Sequence, residues 1–384
     1  MFDGQGNWGS LTDHSVAAYR YTEMRLTRFA DEVMFNNFYM PVVDYVATFD
    51  GADKEPLILP ALLPILMING QFGIAVAATS NLPAFEYGTV LKLLKSVYEG
   101  EEITPKLLYQ TLRVRTTFGG AERKLQTKEE KLLRLQLFKT VKGKVQLWST
   151  PKFDGKYTVS VEKFAINVME TALDKIKALP GVSDARDDSS KKDKFGEMTI
   201  VLKKNLTSKE YEKLLKSIDK ELSISKTFNQ NRTRRFIDEV GKPQAKVIPA
   251  SMTDMLVSWV KWRVALEKKA CTYWIGEDDK EIRRLDLLTQ AVDLIDFIIS
   301  LVKNDKLDEA GVYAAYAKKA KVTPEEAKYV LGRPIISLRK LEKSKLAEQR
   351  KSVLEHKSGL EKRRKKPETF MAKQLESFEK LIAS

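Results

Sequence analysis

The chain has 384 residues, 43% of them hydrophobic, which is enough for at least one ordinary core and long enough for two or three domains, and excludes a disordered chain. Lys and Arg outnumber Asp and Glu by 66 to 52, and the formal charge of +14 favours a polyanionic partner, nucleic acid or an anionic membrane surface. One cysteine, Cys271, and two histidines, His14 and His356, exclude an intrachain disulfide framework, a cysteine-rich zinc site and a multi-histidine metal site.

The first ten residues are glycine-rich and lack a secretory signal pattern. Residues 15–39 contain few breakers and predict a helix with Ala17, Ala18, Tyr21, Met24 and Leu26 along one side. Across 50–83, Pro56, Pro60, Pro64, Gly70, Gly73 and Pro83 interrupt short apolar runs, predicting short strands and turns. The same interruptions leave no apolar stretch of about 18 residues, so no membrane span is expected and the protein reads as soluble and intracellular. A helix is predicted over 88–98. Period-two runs at 145–149 and 157–161 flank Phe153-Asp154-Gly155-Lys156 and predict a β-hairpin.

A helix over 164–179 should stop at Pro180-Gly181, followed by a strand at 198–202. Thr207 and Glu210 have the spacing of a capping box and open the next helix. Past Pro249 the apolar residues fall at helical spacing, first Met255, Trp259, Trp262 and Leu266, then Leu285, Leu288, Val292, Ile295, Ile299 and Val302. These predict long amphipathic helices forming an antiparallel arm, with Cys271 as a small apolar filler. Thr323-Pro324-Glu325-Glu326 carries a cap, a first-position proline and first-turn acids, and another helix runs on from Ile335. The acidic groups Asp187-Asp188 and Glu277-Asp278-Asp279 read as solvated loops rather than metal ligands. The basic run 362–366 reads as a solvated helix end or a nonspecific DNA contact.

Gly4-Gln5-Gly6-Asn7-Trp8-Gly9 satisfies the dinucleotide-binding fingerprint as a string, but three preceding residues cannot supply the strand that motif needs, so it reads as a turn. The same glycines belong to Asp3-Gly4-Gln5-Gly6-Asn7-Trp8-Gly9-Ser10, followed after nine residues by Arg20-Tyr21-Thr22-Glu23. This pair of motifs resembles the breakage-reunion subunit of DNA gyrase and topoisomerase IV, the type IIA topoisomerases. Further similar segments follow in order: Phe49-Asp50-Gly51, Leu59-Pro60-Ala61-Leu62-Leu63-Pro64, Ile68-Asn69-Gly70, Gly73-Ile74-Ala75-Val76, and Gly181-Val182-Ser183-Asp184-Ala185-Arg186. The short arm and the lack of a wrapping domain look most like the medium subunit of T-even phage topoisomerases.

The resemblance implies an α+β multidomain fold. Its parts would be a partial winged-helix region over 1–45 carrying a catalytic tyrosine, a mixed α/β tower domain over 46–250, and a coiled-coil arm with a helical dimerisation end over 251–384. It implies an ATP-dependent enzyme that cuts and reseals one DNA duplex while passing another through it. Tyr21 would be the nucleophile. A phenol ionises near pH 10, about three units above neutrality, so such a nucleophile needs positive charge nearby, and Arg20 is placed to hold a phosphate oxygen. On a helix, sequence neighbours do not share a face, which would turn Arg20 toward the phosphate rather than Tyr21.

Ile74 would wedge between base pairs, the alternative being a buried strand isoleucine. Arg25 and Arg28 would reach phosphates, with Gln5 and Asn7 in the DNA-facing loop and smaller roles for Lys152 and Lys156. His14 reads as a surface-loop residue. Magnesium and ATP are expected on a partner ATPase protein, and a homodimer is expected through the helical arm. The implied setting is the cytoplasm, that of a bacterial host if the gene is a phage's. Departures from the family are a start inside the winged-helix domain, which would call for a separate helix-turn-helix fragment, and Ala84-Phe85 where the family has Pro-His. Two other readings compete, a noncatalytic DNA-binding or scaffold protein and, from charge alone, a membrane-peripheral helical protein.

Overall fold

The computed structural model describes residues 2–9, 15–75, 78–115, 122, 128–149, 151–154, 157–164, 168–189, 196–237, 243–303, 307–334 and 342–383. His14 and Lys156, and the start of the helix expected at Ile335, lie outside them. The fold is mixed α+β and divides into two compact units, Met1–Val264 with Glu368–Ser384, and Ala265–Pro367. Among the described residues no helix is long and apolar enough to cross a membrane.

The first unit opens with a two-stranded antiparallel ribbon, β1 (Phe2–Gln5) against β2 (Glu23–Leu26), and the single-turn 3-10 helix Tyr19–Tyr21 leads into β2. The helix expected over 15–39 is therefore broken up. Only α1 (Arg28–Met34) is α-helical there, capped by the Thr27 side chain, which accepts from the Ala30 amide. The cause is long-range. Residues 23–26 satisfy their backbone groups across the ribbon, and that pairing overrides local helix propensity. Gly4–Gln5 thus does end a strand, but a strand in an antiparallel ribbon, not the parallel βα unit of a dinucleotide fold.

The proline- and glycine-punctuated stretch forms short elements as expected: β3 (Tyr45–Ala47), β4 (Lys54–Pro56), α2 (Ile65–Asn69), β5 (Gln71–Ala75) and β6 (Ala78–Leu82). Next come β7 (Ala84–Phe85), α3 (Tyr87–Tyr98), α4 (Pro105–Thr111), β8 (Val114–Arg115), α5 (Lys128–Lys139) and β9 (Lys142–Trp148). The sequence pairs 145–149 with 157–161, and the structure does not. The hairpin is β10 (Pro151–Phe153) with β11 (Thr158–Phe164), while β9 pairs along its whole length with β14 (Ser223–Asn229).

Between them lie α6 (Met169–Lys177), β12 (Val182–Asp187), β13 (Gly196–Leu202) and α7 (Ser208–Glu221). Strands in the order β10-β11-β13-β12 make one sheet, and α6 and α7 pack their apolar stripes on it. In β13, Met198, Ile200 and Leu202 are buried at alternate positions, the period-two pattern of a half-buried strand. Thr207 and Glu210 form the capping box at the start of α7. A second sheet has the order β5-β6-β14-β9, and β15 (Asn231–Ile237) pairs with β16 (Pro243–Pro249) in a separate ribbon.

Helix α8 (Met252–Asp293) supplies the end of the first unit and the start of the second. In the first unit the buried Arg263 donates to the Tyr39 hydroxyl at 2.8 Å and lies 4.6 Å from its ring centre. The second unit contains the rest of α8, α9 (Ile295–Val302), α10 (Glu309–Ala320), α11 (Pro324–Leu331) and α12 (Lys343–Lys365). The last helix, α13 (Pro367–Ala383), returns almost entirely to the first, where Tyr87 donates its hydroxyl to the Phe378 carbonyl at 3.0 Å. Thr323 and Glu326 form the second capping box, and α9 to α11 enclose a core with Ile298, Leu301, Tyr316, Ala327 and Val330.

Within the second unit α8 and α12 run antiparallel with a seven-residue repeat of opposite charges. Asp279 pairs with Lys357 at 2.5 Å, Asp286 with Arg350 at 2.6 Å, and Asp293 with Lys343. At the next step along, Arg364 donates to the Thr272 hydroxyl at 3.4 Å. The acidic residues 277–279 therefore sit in mid-helix rather than in a loop, with Glu277 on Lys280 and Asp278 against His356. From the basic run, Arg363 turns inward to the fully buried Glu267, which also accepts from the Cys271 thiol. Burial, with Glu267 beside it, pushes that thiol up to about 11, which suits an inert filler.

Candidate active site and DNA-facing surface

The glycine loop is shaped by its own residues. Gly6 and Gly9 adopt φ of 98° and 80°, in the left-handed region that glycine enters without steric cost. The Asn7 side chain accepts from the Gly9 amide at 2.9 Å and donates to the Ser15 carbonyl at 3.3 Å, so its polar atoms tie the loop to the segment leading to Tyr21. Trp8 donates its ring N–H to the Gln5 carbonyl at 3.2 Å, and its ring lies over Gly4 so closely that any β-carbon there would collide with it. Gly6 backs directly onto Tyr21: a β-carbon at Gly6 would stand 2.5 Å from the Tyr21 carbonyl oxygen. The two motifs seen in the sequence are one physical object, a loop built against the turn that carries the tyrosine.

Tyr21 ends the 3-10 turn with its amide donating to the Ala18 carbonyl at 2.9 Å, and its side chain is 66% exposed. The Arg20 guanidinium lies 4.8 Å from the centre of the Tyr21 ring. This differs from the helical expectation, in which neighbours face apart. The tighter 3-10 turn folds the arginine over the ring, a cation–π arrangement between two exposed residues. Arg20 and Tyr21 thus present a cation and a hydroxyl on one exposed turn.

The other arginines are not on the same helix as Tyr21. Arg25 lies on β2 and donates twice to Asp3, its register partner on β1, at 2.9 and 3.0 Å. Arg28 lies on α1 and pairs with Glu32 at 2.6 Å. Both pairs are well exposed, where an ion pair contributes about 0–1 kcal/mol, so a phosphate can displace either carboxylate at little cost. Gln5, Asn7, Arg20, Tyr21 and Arg25 gather on the ribbon and its connecting loop. Ile74 lies on another element, β5, and its side chain is 75% exposed rather than buried.

The sheet carrying Ile74 separates exposed from buried side chains by face over much of its extent, with Trp148, buried on the side of Lys142 and Lys144, and Gln71, exposed on the side of Leu82, as exceptions. Register matches Ile74 to Thr79, Phe72 to Asn81, Asn81 to Asn229, Asn229 to Lys142, and Thr227 to Lys144. Residues directly opposite share a face, so Phe72, Ile74, Thr79, Lys142 and Lys144 stand together, all exposed. Leu82, Val145, Leu147 and Phe228 occupy the other face and are buried. Lys152, on β10 of the hairpin, pairs with Glu162 on β11.

Among the described residues no group of three or more His, Cys, Asp or Glu side chains is placed to hold a metal ion. A cavity of about 790 Å³ in the first unit is lined mainly by apolar groups such as Met34, Phe35, Leu66, Met255, Trp259 and Trp262, with Glu55 as its charged member. Such a lining supplies neither phosphate recognition nor a nucleophile.

A family model for the A-type subunits of DNA gyrase and topoisomerase IV matches residues 1–378. The chain belongs to that family. The gyrase A protein of Brachyspira hyodysenteriae is 26% identical over 385 residues, covering 97% of this chain and 44% of the relative. The topoisomerase IV A protein of Pseudomonas aeruginosa is 26% identical over 368 residues, covering 94% and 46%. For the gyrase A protein of Nocardioides sp. the figures are 27% over 319 residues, 79% and 33%. This member of the gyrase A/topoisomerase IV A family therefore spans between a third and just under half of these relatives' length.

Proposed function

We propose that the chain is the DNA-cleaving and resealing subunit of an ATP-dependent type II topoisomerase, and that Tyr21 attacks the DNA backbone. The observation that carries this is the exposed Tyr21 with the Arg20 guanidinium over its ring, on a turn braced by the glycine loop, in a chain that the family model matches over residues 1–378. In the reaction the phenol loses its proton and its oxygen forms a bond to phosphorus. The bond from phosphorus to one deoxyribose oxygen breaks, and that oxygen leaves with a proton. The phosphotyrosine ester retains the diester's bond energy, so the reverse attack reseals the strand without a further energy source. Arg20 contributes by neutralising charge on the phosphate as the five-coordinate transition state forms. Ile74, Arg25 and Arg28, with Gln5 and Asn7 in the loop, hold and bend the duplex.

ATP and magnesium belong, on this reading, to a partner ATPase protein, and the chain works as a homodimer joined through the second unit. The reading extends to a likeness to the medium subunit of T-even phage topoisomerases, which would place the protein in the cytoplasm of a bacterial host. Both strands of the β1–β2 ribbon are exposed, including Phe2, Met24 and Leu26. A two-stranded ribbon is marginal alone, which supports its being covered in the working enzyme by a helix-turn-helix segment.

The chain combined with its ATPase partner, supercoiled plasmid, ATP and magnesium, then denatured, is expected to yield protein-linked DNA. Tyr21→Phe removes the attacking oxygen and should abolish that product while leaving DNA binding intact. Protein-linked DNA persisting in Tyr21→Phe would refute the assignment of the nucleophile. Salt-dependent binding with no cleavage by wild type would leave a DNA scaffold instead.

A further inference from the structure

We infer that Phe72 is a second DNA wedge beside Ile74, and that the exposed face of the β5-β6-β14-β9 sheet is a DNA-bending surface with Lys142 and Lys144 as its phosphate rail. The inference rests on the reading of Ile74 as a wedge. Phe72 and Ile74 lie at positions i and i+2 of β5, are 73% and 75% exposed, and project from the same face. Two large apolar side chains held side by side in water gain nothing from the fold, because the opposite face already supplies the buried Leu82, Val145, Leu147 and Phe228.

The spacing suits a duplex. Alternate residues of a strand are about 6.7 Å apart, and successive base steps rise about 3.4 Å, so β5 laid along a groove brings its two apolar side chains to steps two apart. An aliphatic and an aromatic wedge at that interval each unstack one step and bend the helix in the same sense.

The same face supplies the charge. Register places Lys142 in the row of Phe72, three strands away, with Lys144 in the row of Thr227. Three interstrand spacings make about 14 Å, more than the roughly 6 Å width of a minor groove, so lysines at that distance meet the flanking phosphates rather than the wedged bases. Between wedges and lysines the surface is polar and small, with Thr79 and Thr227 exposed, and the Asn81 side chain donates to the Thr227 carbonyl at 3.4 Å. Apolar projections on one edge strand and cations on the other match a duplex bent over the sheet.

The test uses the full chain and a short duplex labelled at both ends, with bending read by energy transfer and affinity by anisotropy at several salt concentrations. Phe72→Ala is expected to reduce the bend at saturation and weaken binding about tenfold, the scale of one lost aromatic–base contact, while Phe72→Leu retains most of both. Ile74→Ala reports on the first wedge independently. If Ile74→Ala straightens the DNA and Phe72→Ala does not, the second wedge is overturned and the first stands. If Phe72→Ala straightens it and Ile74→Ala does not, Phe72 is supported and the Ile74 reading falls.

Wild type that leaves the duplex unbound or straight overturns both. Both side chains are exposed, so each variant should melt with wild type, and this separates lost contact from lost fold. Lys142→Ala with Lys144→Ala should lower the salt dependence by about two counterions and leave the bend at saturation unchanged. An unaltered salt slope overturns the rail.

Discussion

A methyl group added at Gly6 would lie 2.5 Å from the Tyr21 carbonyl oxygen, at a backbone φ of 98°. Gly6→Ala therefore faces two penalties, about 1–2 kcal/mol for a left-handed L-residue and a displacement of the tyrosine turn. Because a misplacement of about 1 Å can cost on the order of a hundredfold in rate, cleavage by Gly6→Ala should fall steeply while DNA affinity changes little. The yield of protein-linked DNA against time, set beside a binding isotherm, checks this, and unchanged cleavage would detach the loop from the nucleophile. The sequence made Gly6 visible as part of a motif. What it could not show is that this glycine touches Tyr21, since the contact depends on the β1–β2 pairing. Phe72 was invisible for a related reason: an aromatic in a proline- and glycine-rich stretch reads as core until register assigns it a face.

Among elements, local signals were legible and distant pairings were not. Thr207 with Glu210, and Thr323 with Glu326, form capping boxes where their spacing places them, because a cap is settled within four residues. Residues 23–26 read as helix, and the strand read at 145–149 was given the wrong partner, because the true partners, Phe2–Gln5 and Ser223–Asn229, are some 20 and 80 residues away in sequence. The charge ladder between α8 and α12 is a third case. Its seven-residue spacing is present in each helix, but the alignment that makes the charges meet is a tertiary fact. Exposed pairs of this kind contribute about 0–1 kcal/mol each, so the ladder selects one alignment more than it adds stability. Asp286→Arg should lower the melting temperature slightly, and adding Arg350→Asp should recover part of the loss. A double-mutant cycle with no coupling would show the rung to be incidental.

For the molecule as a whole, charge sets the response to acid. The formal charge of +14 at neutrality grows as carboxylates are protonated, adding self-repulsion to any specific loss. Glu326 is the clearest specific loss: hydrogen bonds from Arg283 first, then from the Thr323 amide, hold it at about 2 instead of 4.5. A carboxylate depressed in the folded state stabilises fully above its unfolded value and loses that contribution as the pH falls toward the folded one. Wild type should thus melt above Glu326→Gln by a constant margin above about pH 4.5, narrowing to nothing near pH 2. A margin independent of pH would mean the residue acts by packing rather than charge.

The heptad ladder limits how the paired helices of this chain can change in length. Every rung lies seven residues from the next on both helices, so an insertion or deletion in one helix keeps the charges matched only when it is seven residues long and mirrored in the other. The paired segment therefore lengthens or shortens in quanta of about 10 Å.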